Sequence, residues 1–415
     1  MKTTKEFETL LNGLTNELRA LGIKEQVIWS SYYRSFCSIR KFHHDKGKQV
    51  YDENILSEFE DNVELRYLNH NISRGHRNML LKCSDRMREY VTTGMLQWSR
   101  RPTGSHTALN EIHENFLNGF LATLCVAPST LGDISWSVRK YLSFMESRNV
   151  DFDKVTVDDL RDFYIFCSCH LSRNSMHNIQ CYLRKFHRYM GQKGFNNLSD
   201  SAILNSAIQR EKKVFPALTW SEYNAILEQI DTNTSQGKRD YAIFLLAATT
   251  GIRGIDIVRL KLKDIDWSNG IINVFQHKTQ KLLSVPLTKS VGLAVKEYIL
   301  NARPMCDSDY VFISARPPIR ELKDSMALNY IIKHYQEKTN IPKEQFHGKA
   351  FHSIRRMVGT GLILSDVPVT IASQVLGHQD LQCIQRYISL DTEHLKECAL
   401  NLANIEIYPG GTANV

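Results

Sequence analysis

Before Pro216 the apolar residues recur every three or four positions and strand-like alternation is almost absent, which predicts a helical N-terminal half. Leu121 through Met145, VDDLRDFYIFCSCHL and SMHNIQCYLRKFHRYM carry this spacing most clearly. Beyond Pro216 the grammar is mixed. IDWSNGIINVFQHKTQKLLSVPLT reads as short strands, with Asn269-Gly270 as one turn and a second reversal around Lys278 to Lys281. Helices resume at Ser290 to Leu300 and at Met326 to Glu337. Another is expected after Asp366, turning Val369, Ala372, Val375 and Leu376 inward and stopping at Gly377. The longest apolar run, AIFLLAA at Ala242 to Ala248, is far too short to cross a bilayer and reads as a core helix.

These periods divide the chain into a helical domain over residues 1–102, a second over 103–209, a linker at 210–217, a mixed but mainly helical domain over 218–390 and a tail at 391–415. Pro102 and Gly104 in SRRPTGSHT interrupt the first helical pattern. Pro216 blocks a continuous helix, and Thr219 followed by Glu222 matches a capping box for a new one. SYYRSFCSIRKFHHDKGKQVYDENILSEF is echoed about a hundred residues later by SWSVRKYLSFMESRNVDFDKVTVDDLRDF. Duplication and a coincidence of helical composition both account for two imperfect copies.

Composition changes this picture little. The chain has 415 residues, 42% of them hydrophobic, which suits two or three globular units and excludes full disorder. The formal charge of +8 permits a polyanionic partner without requiring one. Nine scattered cysteines without a CxxC pair speak against a disulfide framework or a structural zinc site and fit a reducing cytoplasm. The CSCH string at Cys167 to His170, with Cys181 beyond, lacks a second ligand pair and reads as buried thiols. No secretory signal or membrane span is read, and neither metal nor organic cofactor is expected.

The chemistry lies in an ordered series within TGIRGIDIVRL, FQHKTQKLLSVPL, FHSIRRMVGTGL and VLGHQDLQCIQRYI: Arg253, Lys278, His352, Arg355, His378 and Tyr387. Breaking a DNA strand at phosphorus needs a nucleophile, positive charge on the nonbridging oxygens and a proton for the departing 5′ oxygen. Arg253 and Arg355 offer planar forks suited to phosphate. Lys278 in a tight turn is the leading general acid, with Lys281 the alternative. His352, three residues before Arg355, is a candidate proton acceptor for the Tyr387 phenol, and His378 follows a helix end. Asp256 suits a carboxylate brace for an arginine or a backbone group, or an ordinary helix-start charge. Candidate DNA contacts are Arg184, Lys185 and Arg188, which accompany an apolar face of Ile179, Leu183 and Phe186. Arg210, Lys212 and Lys213 in the linker join them, and Lys281 also qualifies. A solvated charged face is the alternative for either group.

At these residues the chain resembles the tyrosine recombinase family, the phage-integrase-type recombinases, over about residues 103–405. From His352 the spacings to Arg355, His378 and Tyr387 are 3, 26 and 35, like an intact family site. The resemblance implies a multidomain fold: all-α N-terminal and core-binding (SAM-like) domains, then a mainly α catalytic domain with a small antiparallel sheet. It implies Arg253 and Arg355 as the paired arginines, Lys278 as the hairpin lysine, the two histidines in support and Tyr387 as nucleophile. Four protomers on two double-stranded DNA sites, 3′-phosphotyrosyl linkages and an accessory bending or directionality protein are further expectations, in a bacterial or mobile-element setting. In the tail, Leu395, Cys398, Ala399 and Leu402 form one apolar face that could dock on a neighbouring protomer or on its own domain. Integration and excision of a mobile element is the leading reading. A dimer-resolving recombinase, a topoisomerase-like or hairpin-resolving enzyme and a non-catalytic architectural protein are the alternatives.

Overall fold

The computed structural model describes residues 6–98, 109–206, 208, 210–211 and 215–377. Two compact units result: Met1–Arg101 together with Val214–Val415, and Pro102–Lys213.

The first hundred residues form α1 (Phe7–Ala20), α2 (Glu25–Val27), a π-helical turn (Ile28–Tyr33), α3 (Arg34–Asp45), α4 (Glu53–Leu68) and α5 (Arg74–Thr93). α4 and α5 start where short polar side chains satisfy free N–H groups: Asp52 accepts from Asn54 N and Ser73 from His76 N. Their apolar stripes meet in a core that includes Leu10, Leu14, Phe36, Phe59, Val63 and Met87.

The Pro102–Lys213 unit is built from α6 (Glu111–Ala122), α7 (Pro128–Ser147), α8 (Val157–Ser168), α9 (Arg173–Gln192) and the short α10 (Ala202–Asn205). The run from Leu121 to Met145 is therefore two helices. α6 ends at Ala122, and Pro128 at the first turn of α7 starts the next, a place where its missing N–H costs nothing. Asn110, Thr156 and Ser172 cap α6, α8 and α9, Thr156 with a reciprocal Asp159 box. Leu117, Phe120, Tyr141, Phe163, Leu183 and Phe186 are among its core residues. The two echoed segments adopt the same local order: α3 breaks off before α4, and α7 before α8. In CSCH only Cys167 is buried; Cys169 and His170 are exposed because α8 ends at Ser168 and turns them out of its packed face.

From Trp220 onward come α11 (Trp220–Glu228), α12 (Ser235–Thr250), α13 (Gly254–Val258), a sheet of β1 (Ile265–Asp266), β2 (Ile271–Gln276) and β3 (Lys281–Pro286), then α14 (Lys289–Asn301), α15 (Met326–Gln336), α16 (His352–Leu364) and α17 (Val369–Val375). Thr219 and Glu222 close the expected capping box on α11. The sheet is antiparallel in the order β1-β2-β3, with Ile272 opposite Val285 and Gln276 opposite Lys281. Ala242, Ile243, Phe244, Leu246 and Ala247 make α12 the centre of this core, packed by α14 and α16. Buried charge here is paired: Arg239 donates to Asp240 at 2.7 and 2.8 Å, and the Tyr335 hydroxyl donates to Asp240 at 2.9 Å. In α17 the apolar side chains that face inward are Ala372 and, just beyond the helix, Leu376, against Val358, Leu362 and Ile363, with Ser373 buried beside them. Val369 and Val375 are 39% and 41% exposed, because a seven-residue helix has one i, i+4 row to bury.

Candidate active site

Gly251 ends α12 with φ +64, and Ile252 leads to Arg253, which caps α13 from an extended conformation. A Cβ at Gly251 would lie 2.9 Å from Leu376 Cδ2, so the glycine permits both the left-handed turn and the close approach of the loop after α17. Arg355 sits one turn into α16 and is 3% exposed. Its Nη1 donates to Gly251 O and its Nη2 to Leu376 O, both at 2.8 Å. The half-buried Arg253 donates from Nη2 to Gly377 O at 3.4 Å. Two guanidinium groups distant in sequence thus converge on the Leu376–Gly377 backbone, the last described residues before His378.

Asp256, in the first turn of α13, is buried and accepts from His277 N at 2.8 Å. Of the two expected partners, it braces a backbone group, the one that opens the turn after β2. Burial raises its carboxyl above the ordinary range, against the opposing pull of the His277 N–H and the charges of Arg253 and Arg355.

The β2–β3 turn spans residues 277–280 and carries Lys278, which is exposed, as is Lys281 at the start of β3. His352 is the exposed first residue of α16. Arg253, Arg355 and Asp256 are therefore brought together, while Lys278, Lys281 and His352 present themselves to solvent. His378 and Tyr387 lie outside the described residues, as do Lys212, Lys213 and the apolar tail positions.

One further side chain belongs to this cluster. Gln276 ends the inward-facing row Ile272, Val274, Gln276 of β2 and is 2% exposed. With its amide oriented so that each atom meets a complementary partner, Nε2 donates to Thr279 Oγ1 at 2.6 Å and to Gly377 O at 3.2 Å. Oε1 then accepts from Arg253 Nη1 at 3.3 Å. Sequence spacing passed over it; the available signal was an amide where strand alternation calls for an apolar residue.

On α9, Lys185 and Arg188 are exposed on the side away from Ile179, Leu183 and Phe186. Arg184 departs from the expected basic face: its Nε donates to Leu204 O at 3.0 Å and its Nη2 to the same carbonyl, so it holds α10 against its own unit. Arg210 is exposed and donates from Nη2 to Asn178 Oδ1 at 3.3 Å. Among the described residues no His, Cys, Asp and Glu cluster could hold a metal ion, and no helix is long and apolar enough to cross a membrane.

The phage integrase family model matches residues 216–394. The Sinorhizobium fredii protein y4gC, named as an integrase/recombinase, is 33% identical over 174 residues, 42% of this chain and 88% of that protein. Its counterpart y4rF is 31% identical over 198 residues, 48% of this chain but only 45% of the relative's length. Tyrosine recombinase XerC of Staphylococcus aureus is 24% identical over 303 residues, 71% of this chain and 96% of that protein. In fold, the chain resembles the XerH site-specific recombinase bound to palindromic difH substrate, with a TM-score of 0.53 at 17% identity over 83% of this chain and 95% of that one. It also resembles a lambda integrase tetramer bound to a Holliday junction, with a TM-score of 0.51 at 16% identity over 75% of this chain and 86% of that one. The chain belongs to the phage integrase family of tyrosine recombinases, enzymes that cut and rejoin DNA.

Proposed function

We propose that this chain is a site-specific recombinase that integrates and excises a bacterial mobile element. The observation that carries the reading is the convergence of Arg253 and Arg355 on Leu376–Gly377. In the proposed reaction the Tyr387 phenolic oxygen attacks phosphorus and loses its proton to His352. The bond from phosphorus to the 5′ oxygen breaks, and that oxygen takes a proton from Lys278, with Lys281 as the alternative donor. Arg253, Arg355 and His378 donate to the nonbridging oxygens as charge accumulates. A preorganised donor of this kind is worth roughly 100-fold to 1000-fold in rate. The product is a 3′-phosphotyrosyl ester close in energy to the original diester, so attack by a 5′ hydroxyl rejoins strands without ATP.

The domain over residues 103–209 would hold the core site with Lys185 and Arg188, and residues 1–102 would add a further grip. Four protomers on two duplexes and an accessory bending or directionality protein complete the proposal. The bacterial relatives and the lambda integrase tetramer on a junction support it by likeness. The test is incubation of wild type and Tyr387→Phe with nicked element-end DNA, followed by denaturing electrophoresis. A protein–DNA adduct formed by wild type alone is expected. Its absence from wild type on a site the protein demonstrably binds would count against catalysis and favour an architectural role.

A further inference from the structure

We infer that Gln276 is a positioning residue for strand cleavage, which locks the Lys278 turn and the Gly377 carbonyl to the Arg253 guanidinium. The inference rests on the recombinase reading above. One buried amide reaches three parts of the site: Arg253 through Oε1, and both the turn residue Thr279 and Gly377 through Nε2. Arg253 itself reaches Gly377 O from its other terminal nitrogen, which closes the connection into a ring. The strand end is held from a second side by Asp256, which accepts from His277 N at 2.8 Å.

Each of these bonds has a reason to be specific. An amide both accepts and donates, so Gln276 serves a cation and a carbonyl at once; a carboxylate could only accept and a thioether does neither well. The site is drawn tightly around it, because a Cβ at Gly377 would collide with the terminal amide of Gln276. Lys278 stands two residues beyond Gln276, and the flexible ammonium stem depends on its turn for its direction. Gln276 touches neither phosphate nor leaving group in this proposal; it acts through Arg253 and through the turn.

Gln276→Met keeps the length and loses the hydrogen bonds. Single-turnover cleavage of nicked duplex should slow about 10-fold to 100-fold, as expected for a lost set of buried hydrogen bonds in the transition state. DNA affinity should stay within about twofold, which separates positioning from folding. The discriminating substrate carries sulfur in place of the bridging 5′ oxygen, so its leaving group needs no proton. On it the Lys278 share of the defect is bypassed while the Arg253 share persists, and the deficit should shrink at least about threefold. A wild-type rate on ordinary DNA, or an equal deficit on both substrates, overturns the inference. Should Gln276→Met lose DNA affinity, Gln276→Glu takes its place: it keeps the acceptor for Arg253 and loses both donors, so its deficit should shrink still further on the sulfur substrate, and an equal deficit on both substrates again overturns the inference. An adduct absent from wild type defeats the recombinase reading itself. An adduct formed at equal rates by wild type and Gln276→Met defeats this inference alone.

Discussion

Asp256 occupies a poor position for a negative charge. It is 2% exposed, and its Oδ2 has no hydrogen-bond partner among the described residues. Arg253 and Arg355 offset part of the cost, yet burial dominates and the carboxyl is raised above its ordinary range. The fold therefore favours the protonated form. This contribution is fully present below the unfolded pKa near 3.9 and is lost as pH rises through the folded value. Urea unfolding of wild type and Asp256→Asn from about pH 4 to about pH 8 should show wild type losing stability relative to the variant as pH rises. Parallel curves would mean the arginines fully compensate. Arg253, Arg355 and Asp256 were legible because charged groups stand in an ordered series. Gln276 was not: a glutamine has no charge, and only the inward register of β2 marks it as out of place.

The hairpin and the α17 end were legible as elements, since turn residues and helix stops leave strong local signals. The second reversal falls between Gln276 and Lys281, and Gly377 at φ +62 closes the loop as a terminator should. The facing of side chains was less legible, because neighbours decide it. Val369 and Val375 have the right spacing for a buried face, but α16 offers them nothing to pack on. Arg184 has the charge for a phosphate, but the carbonyl of Leu204 lies within its reach. Gly377→Ala tests how closely the loop is fitted. The substitution meets the left-handed backbone penalty and drives a methyl into the Gln276 amide. Together these should cost about 2–5 kcal/mol, measurable by thermal or urea unfolding. Cleavage should fall as Gln276 is displaced. An alanine protein as stable as wild type would show that the loop relaxes freely away from β2.

The described residues hold three large cores, each drawn from its own stretch of chain. The sequence changes period at Pro216 and breaks its first helical pattern at Pro102 and Gly104, whereas arrangement within each core depends on long-range packing that no local window contains. Separate cores allow one condition to weaken one module. His187 on α9 is 3% exposed, its ring set against Tyr141 at 5.5 Å, and burial pushes its pKa down to about 4. Its neutral form is the one the fold accepts. The associated stability is present above the unfolded value near 6.5 and is lost as pH falls toward the folded one, a loss of roughly 3 kcal/mol across that window. The Pro102–Lys213 unit should therefore loosen on mild acidification through this histidine. Hydrogen exchange read by mass spectrometry at about pH 5 and about pH 7, corrected for intrinsic rates, should show protection lost in α7 and α9. His187→Met removes the titration while filling the space, and should flatten that response. If the variant loses protection as steeply as wild type, the acid sensitivity belongs to other groups and His187 is only a packed ring.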